Sequence, residues 1–250
     1  KETQWPLRQE IMSKLLFIPG TLCTGNVFTN QITTLTNAGH QCITLEYDQH
    51  DNLSDVASHA LHLFDEGEPF SICAFSMGGM VAFELLARVP ERIEKIALLD
   101  SNAHADKPQG RLARSEHLNY AVSHGLDTLI HDQFSNVYLH KPNEELMELI
   151  AQMAQDTGIE RYKAQLEILA TRPDASELLA NCAHPMLIIG GCNDVLCPPS
   201  EQQRMHNLAA NSELVLVEDA GHFAMLEQSA QVNLHLYNFF GGAAHAETSA

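Results

Sequence analysis

Short apolar runs alternate with segments of helical spacing along most of the chain. Six runs have the length and composition of buried strands, and they cover residues 14–18, 42–47, 70–75, 93–99, 185–189 and 213–217. Residues 53–66 carry apolar side chains at helical spacing, and residues 80–88 form a second helical segment. Strands that alternate with helices in this way predict an α/β fold with a mostly parallel central sheet flanked by helices.

One long stretch, residues 103–183, interrupts the alternation because it contains no good strand. It predicts helices over residues 111–123, 126–138, 143–156, 159–171 and 176–182, separated by glycine and proline residues. We interpret this stretch as an all-helical cap inserted into a core formed by residues 14–102 and 184–240. Residues 1–13 and 241–250 are expected to be flexible ends.

The sharpest motif is Ala74-Phe75-Ser76-Met77-Gly78-Gly79, which follows a predicted strand and precedes a predicted helix. A nucleophilic serine needs this setting, because a tight strand-to-helix turn lifts its hydroxyl clear of the sheet and requires small neighbours. An ordinary turn with a helix-capping serine has a similar short signature. The interpretation of Ser76 as a nucleophile therefore depends on a base and an acid elsewhere in the chain.

A carboxylate and a histidine follow the last two predicted strands. Asp194 lies in the loop after the fifth strand, and His222 lies in the loop after the sixth. A serine hydroxyl becomes a good nucleophile when an imidazole removes its proton, and the imidazole needs a carboxylate to orient it. All three residues follow strand ends, where sites form in α/β folds. The sequence thus predicts a catalytic set of Ser76, Asp194 and His222.

Two other carboxylates, Asp100 and Asp219, also follow predicted strands. Asp100 follows the fourth predicted strand and is a rival acid. Asp194 is favoured over it, because glycines before Asp194 and prolines after it shape a loop. Asp219 precedes His222 by three positions, and we expect it to act structurally in the turn.

The order of nucleophile, acid and histidine, and their positions after strands, resembles the α/β-hydrolase family over residues 15–240. The resemblance implies that fold, with a helical cap inserted before the acid, and a reaction that needs no cofactor. Ala74 stands where the family's motif has its first glycine, which is a mild departure because alanine is also small.

The loop after the first strand extends the resemblance. Pro19-Gly20 stands where the family has His-Gly, and Phe28 keeps the aromatic residue at the usual spacing. The resemblance implies that the backbone N–H groups of Thr21 and Met77 form an oxyanion hole. Because proline replaces the histidine, Leu22 is the alternative to Thr21.

Charge narrows the classes of partner. The chain carries 14 Lys and Arg against 32 Asp and Glu, a net charge of −18, which argues against nucleic acid and anionic membranes. An anionic substrate would be repelled unless a local basic pocket offsets this field. No apolar run approaches the length of a membrane span, and we expect a cytoplasmic protein with reduced cysteines. A disulfide between Cys192 and Cys197 is the alternative in an oxidising compartment.

Metal and nucleotide binding are not indicated, because metal-ligand and phosphate-binding motifs are absent from the sequence. His117, His124 and His131 are seven positions apart, too far along one helix to share an ion. His59 and His62 are three positions apart, but a third ligand is not near them in sequence. We expect solvated surface histidines.

Together these features predict a cofactor-independent serine hydrolase that cleaves small carboxylic esters of short or medium acyl chain. Lactonases, C–C bond hydrolases and perhydrolases use the same three residue types, and a hydrolase-like ligand receptor is an alternative of another class. The oligomeric state is left open. In the cap, Tyr120, Phe134, Tyr138 and Met147 could line the pocket, or they could only pack the cap's core.

Overall fold

The computed structural model describes residues 13–241 and contains one six-stranded sheet. Its strands are β1 (Lys14–Ile18), β2 (Gln41–Thr44), β3 (Phe70–Phe75), β4 (Ile93–Leu99), β5 (Met186–Gly191) and β6 (Ser212–Val217). They lie in the order β2-β1-β3-β4-β5-β6, and every neighbouring pair is parallel. The α/β-hydrolase fold expected from the sequence is confirmed.

The central strands are largely apolar because helices cover both faces of the sheet. Every residue of β3 and β5 is buried, whereas the edge strands β2 and β6 are partly exposed. Successive residues of β1 point to opposite faces, so Leu15 and Phe17 enter one hydrophobic core and Leu16 and Ile18 enter the other.

Eleven α-helices lie within residues 13–241. They are α1 (Thr29–Asn37), α2 (Leu53–Leu61), α3 (Gly78–Arg88), α4 (Pro108–His124), α5 (Leu126–Leu129), α6 (Ser135–Tyr138), α7 (Glu144–Thr171), α8 (Ser176–Ala180), α9 (Pro199–Leu208), α10 (Ala224–Glu227) and α11 (Ser229–Phe240). Helices α1 and α11 contribute to one core, and α2, α3 and α9 contribute to the other. None of these helices is both long and apolar enough to cross a membrane.

All six predicted strands are present, and two of their boundaries differ from the prediction by more than one residue. The predicted strand 42–47 ends at Thr44, and the fifth strand continues to Gly191 instead of ending at residue 189. Gly190 and Gly191 therefore pair with β6 and do not form the loop before Asp194. A side chain at Gly191 would collide with the backbone of Ala220 and Gly221, so only glycine allows the loop after β6 to pass there.

Four helices were not predicted from the sequence, and one of them, α10, has only four residues. Helices α1 and α9 each bury one glutamine and one apolar residue, so neither shows a clear apolar stripe. Helix α11 buries Val232, Leu236 and Phe240, four positions apart, which is a signal that could have identified it. The predicted helix 53–66 ends at Leu61.

Residues 103–183, called here the helical insert, hold helices α4 to α8 between β4 and β5. The predicted helix 126–138 is divided by a wider π-helical turn at Ile130–Phe134. The two helices predicted over 143–156 and 159–171 are continuous in α7 except at Gly158, whose φ of 77° interrupts the helix. The expected flexible ends lie outside the described residues, apart from Ser13 and Gly241, which both hydrogen-bond to the His40 ring.

Candidate active site

Three neighbouring stretches at the carboxyl edge of the sheet bring the predicted site residues together. Ser76 directly follows β3, Asp194 follows β5, and His222 lies five residues beyond the end of β6. Since all six strands are parallel, their carboxyl ends meet at one edge. The structure thus places residues from distant parts of the sequence in one small region.

Ser76 occupies a strained turn between β3 and α3. Its φ of 51° lies in the left-handed region, and its backbone N–H donates to the Leu99 carbonyl at 2.9 Å. The Ser76 carbonyl accepts from the Ser101 hydroxyl at 2.8 Å. A side chain at Gly78 would overlap the Ile18 carbonyl, and one at Gly79 would overlap Ser101. These contacts explain why small residues follow Met77 and why the turn keeps its shape.

His222 bridges the serine and a carboxylate. Its Nε2 lies 3.0 Å from Ser76 Oγ, and its Nδ1 lies 2.8 Å from Asp194 Oδ2. A carboxylate at Nδ1 favours the tautomer with the proton on that nitrogen, which leaves Nε2 free to accept a proton from the serine. The backbone also fixes the ring, because the His222 N–H donates to the Tyr138 carbonyl at 2.8 Å. This arrangement can activate a serine hydroxyl.

The Asp194 side chain is fully buried yet well supplied with donors. Its Oδ1 accepts backbone N–H groups of Leu196 at 2.8 Å and Cys197 at 3.0 Å. Burial favours the neutral acid, but the His222 imidazole and these donors outweigh it and lower the pKa of Asp194. Asp194 is therefore the ionised partner of His222.

Asp100, the rival acid in the sequence, has a different environment. Its Oδ1 accepts the Gly191 N–H at 2.8 Å, and its buried Oδ2 has no donor among the described residues. Burial and the nearby Asp194 charge raise the pKa of Asp100 well above its usual range. Among residues 13–241, Asp194 and not Asp100 forms the hydrogen bond to His222. The surroundings of Asp100 therefore favour its neutral form, whereas those of Asp194 favour the charged form.

The exposed Asp219 lies in the turn before His222. It pairs with Lys141 at 2.8 Å, and this pair lowers the pKa of Asp219. Its φ of 54° marks a tight turn after β6. These contacts agree with the structural role expected of Asp219.

Two backbone N–H groups near Ser76 are available as donors. Among residues 13–241, neither the Thr21 N–H nor the Met77 N–H has a hydrogen-bond acceptor. The Thr21 hydroxyl donates to Met77 Sδ at 3.5 Å, so the two residues adjoin. By contrast, the Leu22 N–H donates to Gln165 Oε1 at 2.9 Å in a buried bond. Geometry therefore favours Thr21 over Leu22 as the partner of Met77.

A cavity of about 300 Å³ opens in front of Ser76 and His222. Its walls come from the sheet edge, including Thr21, and from the helical insert, including Phe134 and Tyr138. The rings of Phe134 and Tyr138 stack with centroids 4.5 Å apart. Two other aromatic or apolar residues considered from the sequence lie outside this wall: Tyr120 donates to Asp132, and Met147 is buried elsewhere in the insert.

Several residues that support the site were not identified from the sequence. Gln165 lies 143 positions from Leu22, so no local spacing connects them. Glu227 accepts the Gly221 N–H at 2.6 Å and the His140 N–H at 2.7 Å, and so fastens the His222 loop to the insert. Only the folded chain brings these partners together.

Two groups of side chains within residues 13–241 have metal-like proximity. One is Asp194, Cys197 and His222, whose histidine and carboxylate already pair with each other. The other is Asp48, His50 and His59 near the surface, which differs from the His59 and His62 pair considered from the sequence. In the structure Cys192 and Cys197 are both thiols, and the prediction that no metal is needed stays a prediction.

Comparisons with known proteins identify the family and the fold. A model of the alpha/beta hydrolase family matches residues 15–233. A pimeloyl-[acyl-carrier protein] methyl ester esterase from Neisseria meningitidis is 29% identical over 180 residues, which are 69% of each chain. A thermophilic esterase from Thermogutta terrifontis has a TM-score of 0.81 at 21% identity, over 90% of this chain and 88% of that one. An enol-lactonase from Burkholderia xenovorans also has a TM-score of 0.81 at 19% identity, over 91% and 90%.

Proposed function

Because the chain belongs to the alpha/beta hydrolase family, we propose that it is a serine esterase that cleaves small carboxylic esters without a cofactor. The observation that carries this proposal is the chain of hydrogen bonds from Ser76 through His222 to Asp194, with distances of 3.0 and 2.8 Å. It lies at the wall of a cavity large enough for a small ester. The similarity to a methyl ester esterase adds support.

The first half of the reaction forms an acyl-enzyme. His222 Nε2 takes the Ser76 proton as Oγ attacks the ester carbonyl, and Asp194 stabilises the imidazolium that results. Negative charge develops on the carbonyl oxygen, and the free N–H groups of Thr21 and Met77 stabilise it. The C–O bond then breaks, and His222 returns the proton to the departing alcohol.

The second half releases the acid. His222 Nε2 takes a proton from a water molecule, whose oxygen attacks the acyl carbonyl. The same two N–H groups stabilise the second oxyanion. When the Ser76–acyl bond breaks, His222 gives its proton to Ser76 Oγ, so the enzyme returns to its starting state.

The cavity supports a preference for short or medium acyl chains. Its volume of about 300 Å³ lies at the small end of ligand pockets, and stacked aromatic rings line part of it. We assign the helical insert as the cap of this pocket. It supplies Phe134, Tyr138 and Leu166 to the wall, while the core supplies the reacting residues.

Kinetics on p-nitrophenyl esters of two to twelve acyl carbons test this function. We expect turnover of the shorter members, a fall in kcat/KM as the acyl chain outgrows the cavity, and no effect of a chelator. Absence of turnover on every ester would contradict the proposal. In that case, turnover of lactones or of substrates cleaved at a C–C bond would identify one of the alternative hydrolases. Binding of a ligand with little or no turnover would identify a receptor.

A further inference from the structure

The wall of the Ser76 cavity has a charge opposite to that of the whole chain. The protein carries 32 Asp and Glu against 14 Lys and Arg. Yet the cavity is lined by two arginines, Arg114 and Arg172, and by no aspartate or glutamate of the described residues. A local basic pocket in an acidic protein is the condition under which an anionic substrate can approach.

The two arginines are held beside each other by a shared carboxylate. Arg114 pairs with Asp106 Oδ2, and Arg172 Nη1 lies 3.3 Å from Asp106 Oδ1. Asp106 itself is not part of the cavity wall. Two positive charges against one negative charge leave the cluster net positive.

Arg172 is fixed more firmly than a surface arginine. Its side chain is 6% exposed, its Nε donates to the His104 carbonyl at 3.0 Å, and its Nη1 donates to the Leu169 carbonyl at 2.8 Å. Its Nη2 has no acceptor among residues 13–241. The bonds at Nε and Nη1 fix the guanidinium, and the donor left over at Nη2 is in place to bind an anion with little surrounding water.

Arg114 belongs to a face of α4 that is turned to the cavity. Gly110, Ala113, Arg114 and His117 are spaced as neighbours on one helix face, and all four line the cavity. Burial lowers the pKa of His117, so the positive charge of this wall comes from the arginines. Arg114 Nη1 has no acceptor among the residues that the structure describes, so it is available to a ligand in the cavity.

From this wall we infer that the preferred substrate is an ester bearing a free carboxylate, held by Arg114 and Arg172 while its ester carbonyl meets Ser76. The inference rests on the proposed esterase function and names the substrate class for the same site. An arginine pair binds a carboxylate through parallel N–H donors, so it recognises this group over a neutral one of the same shape.

A structural explanation of the arginines makes a different prediction. If they only fasten the loop at Asp106 to the insert, their loss would lower stability and reduce turnover of charged and neutral esters alike. A carboxylate subsite instead predicts a selective loss on charged substrates, so paired substrates separate the two explanations.

The substrate pairs differ only in charge. Monomethyl esters of four- to seven-carbon dicarboxylic acids place the carboxylate on the acyl side, and their dimethyl esters are the neutral controls. Acetate esters of short hydroxy acids, with the matching methyl esters, place it on the alcohol side. We expect wild-type kcat/KM to favour the charged member of at least one pair by about 10- to 100-fold.

The variants are matched for net charge. Arg114→Met should lower the ratio of kcat/KM for the charged ester to kcat/KM for the neutral ester by about tenfold or more. Arg111→Met removes the same charge from the same helix, but Arg111 is exposed and outside the cavity wall, so the wild-type ratio should persist. Arg172→Met tests the second arginine in the same way. If that variant does not fold, the comparison of Arg114→Met with Arg111→Met alone tests the carboxylate subsite.

Equal rates on charged and neutral esters, or a uniform loss in Arg114→Met, would overturn the carboxylate subsite. Continued turnover of the neutral esters in that case would leave the esterase function standing. Failure to hydrolyse any ester would overturn both proposals.

Discussion

The carboxyl edge of the sheet and the helical insert meet at one cavity but are built differently. At the sheet edge, parallel strands and a strained turn hold Ser76, and backbone hydrogen bonds hold the Asp194 and His222 loops. The insert instead contributes side chains from helices that are interrupted at Gly158 and widened at Ile130–Phe134. Under the proposed function, this difference predicts that the sheet edge determines the chemistry and that the insert determines which ester fits.

Two contacts cross this division. Gln165 of the insert occupies the Leu22 N–H, and the insert's Tyr138 carbonyl accepts the His222 N–H. The insert therefore also helps to position Leu22, which adjoins Thr21, and His222. Variants in the sheet edge, in the insert and at the contacts between them test whether the two regions have these separate roles.

Replacing the nucleophile should have the largest effect. Ser76→Ala removes the hydroxyl that His222 deprotonates, so we expect ester turnover to fall by about 10⁶-fold. Steady-state kinetics on a short p-nitrophenyl ester measure the loss. Ser101→Ala is the matched control, because Ser101 donates to the Ser76 carbonyl and not to His222, and its effect should be far smaller. Comparable losses in the two variants would contradict the assignment.

The two buried aspartates should separate next. Asp194→Asn cannot hold the His222 tautomer, and we expect kcat to fall by about 10⁴-fold, as for a mismatched tautomer in other serine enzymes. Asp100→Asn places a neutral side chain where burial and the Asp194 charge already favour the neutral acid, so kcat should stay within about tenfold of wild type. A larger loss of kcat in Asp100→Asn than in Asp194→Asn would assign the acid to Asp100, which follows β4.

The Gln165 contact should have a moderate effect on the chemical step. Gln165→Met leaves the buried Leu22 N–H without its acceptor, so the loop that carries Thr21 can move. We expect kcat to fall about tenfold with little change in KM, which is less than the loss of a whole oxyanion donor. Gln165→Glu keeps an acceptor and should recover part of the rate. A change confined to KM would contradict this role.

Trimming the insert's wall should change selectivity more than rate. Phe134→Leu enlarges the cavity, so we expect the preferred acyl chain to lengthen and the ratio of long to short substrates to change about threefold. Leu146→Val, which is packed in the insert but outside the cavity wall, is the control for stability. Equal losses at every chain length would limit Phe134 to packing.

The smallest effect concerns stability and pH. The raised pKa of Asp100 means that the folded state keeps a proton that the unfolded state releases above pH about 3.9. Stability is therefore lost as pH rises from that value towards the folded pKa, by about 1.4 kcal/mol per pH unit. Asp100→Asn lacks this pH dependence, so the Tm of the variant should rise relative to the Tm of wild type as pH rises. A constant Tm difference would contradict a neutral Asp100.

Much of the sheet edge could be predicted from the sequence because its signals are local. Buried strands are short apolar runs, and Ser76, Asp194 and His222 each stand shortly after one. The small residues around Ser76 also mark a crowded turn. Parallel pairing then brings these strand ends together.

The insert could be predicted only as helices. Its pairing with the sheet edge depends on contacts such as Gln165 with Leu22, which are far apart in sequence. The arginine pair at the cavity could not be predicted either. Arg114 and Arg172 are separated by 58 positions, and the fold brings both of them to Asp106. The sequence also left two carboxylates open, since burial, which separates Asp100 from Asp194, is a property of the folded chain.

Mass spectrometry of the protein after reaction with a fluorophosphonate locates the nucleophile. We expect one adduct per chain, mapped by peptide sequencing to Ser76, and none in Ser76→Ala. Asp194→Asn should label more slowly at the same residue, because His222 is then less able to remove the serine proton. An adduct on another residue, or an unlabelled protein that still hydrolyses esters, would show that Ser76 is not the nucleophile.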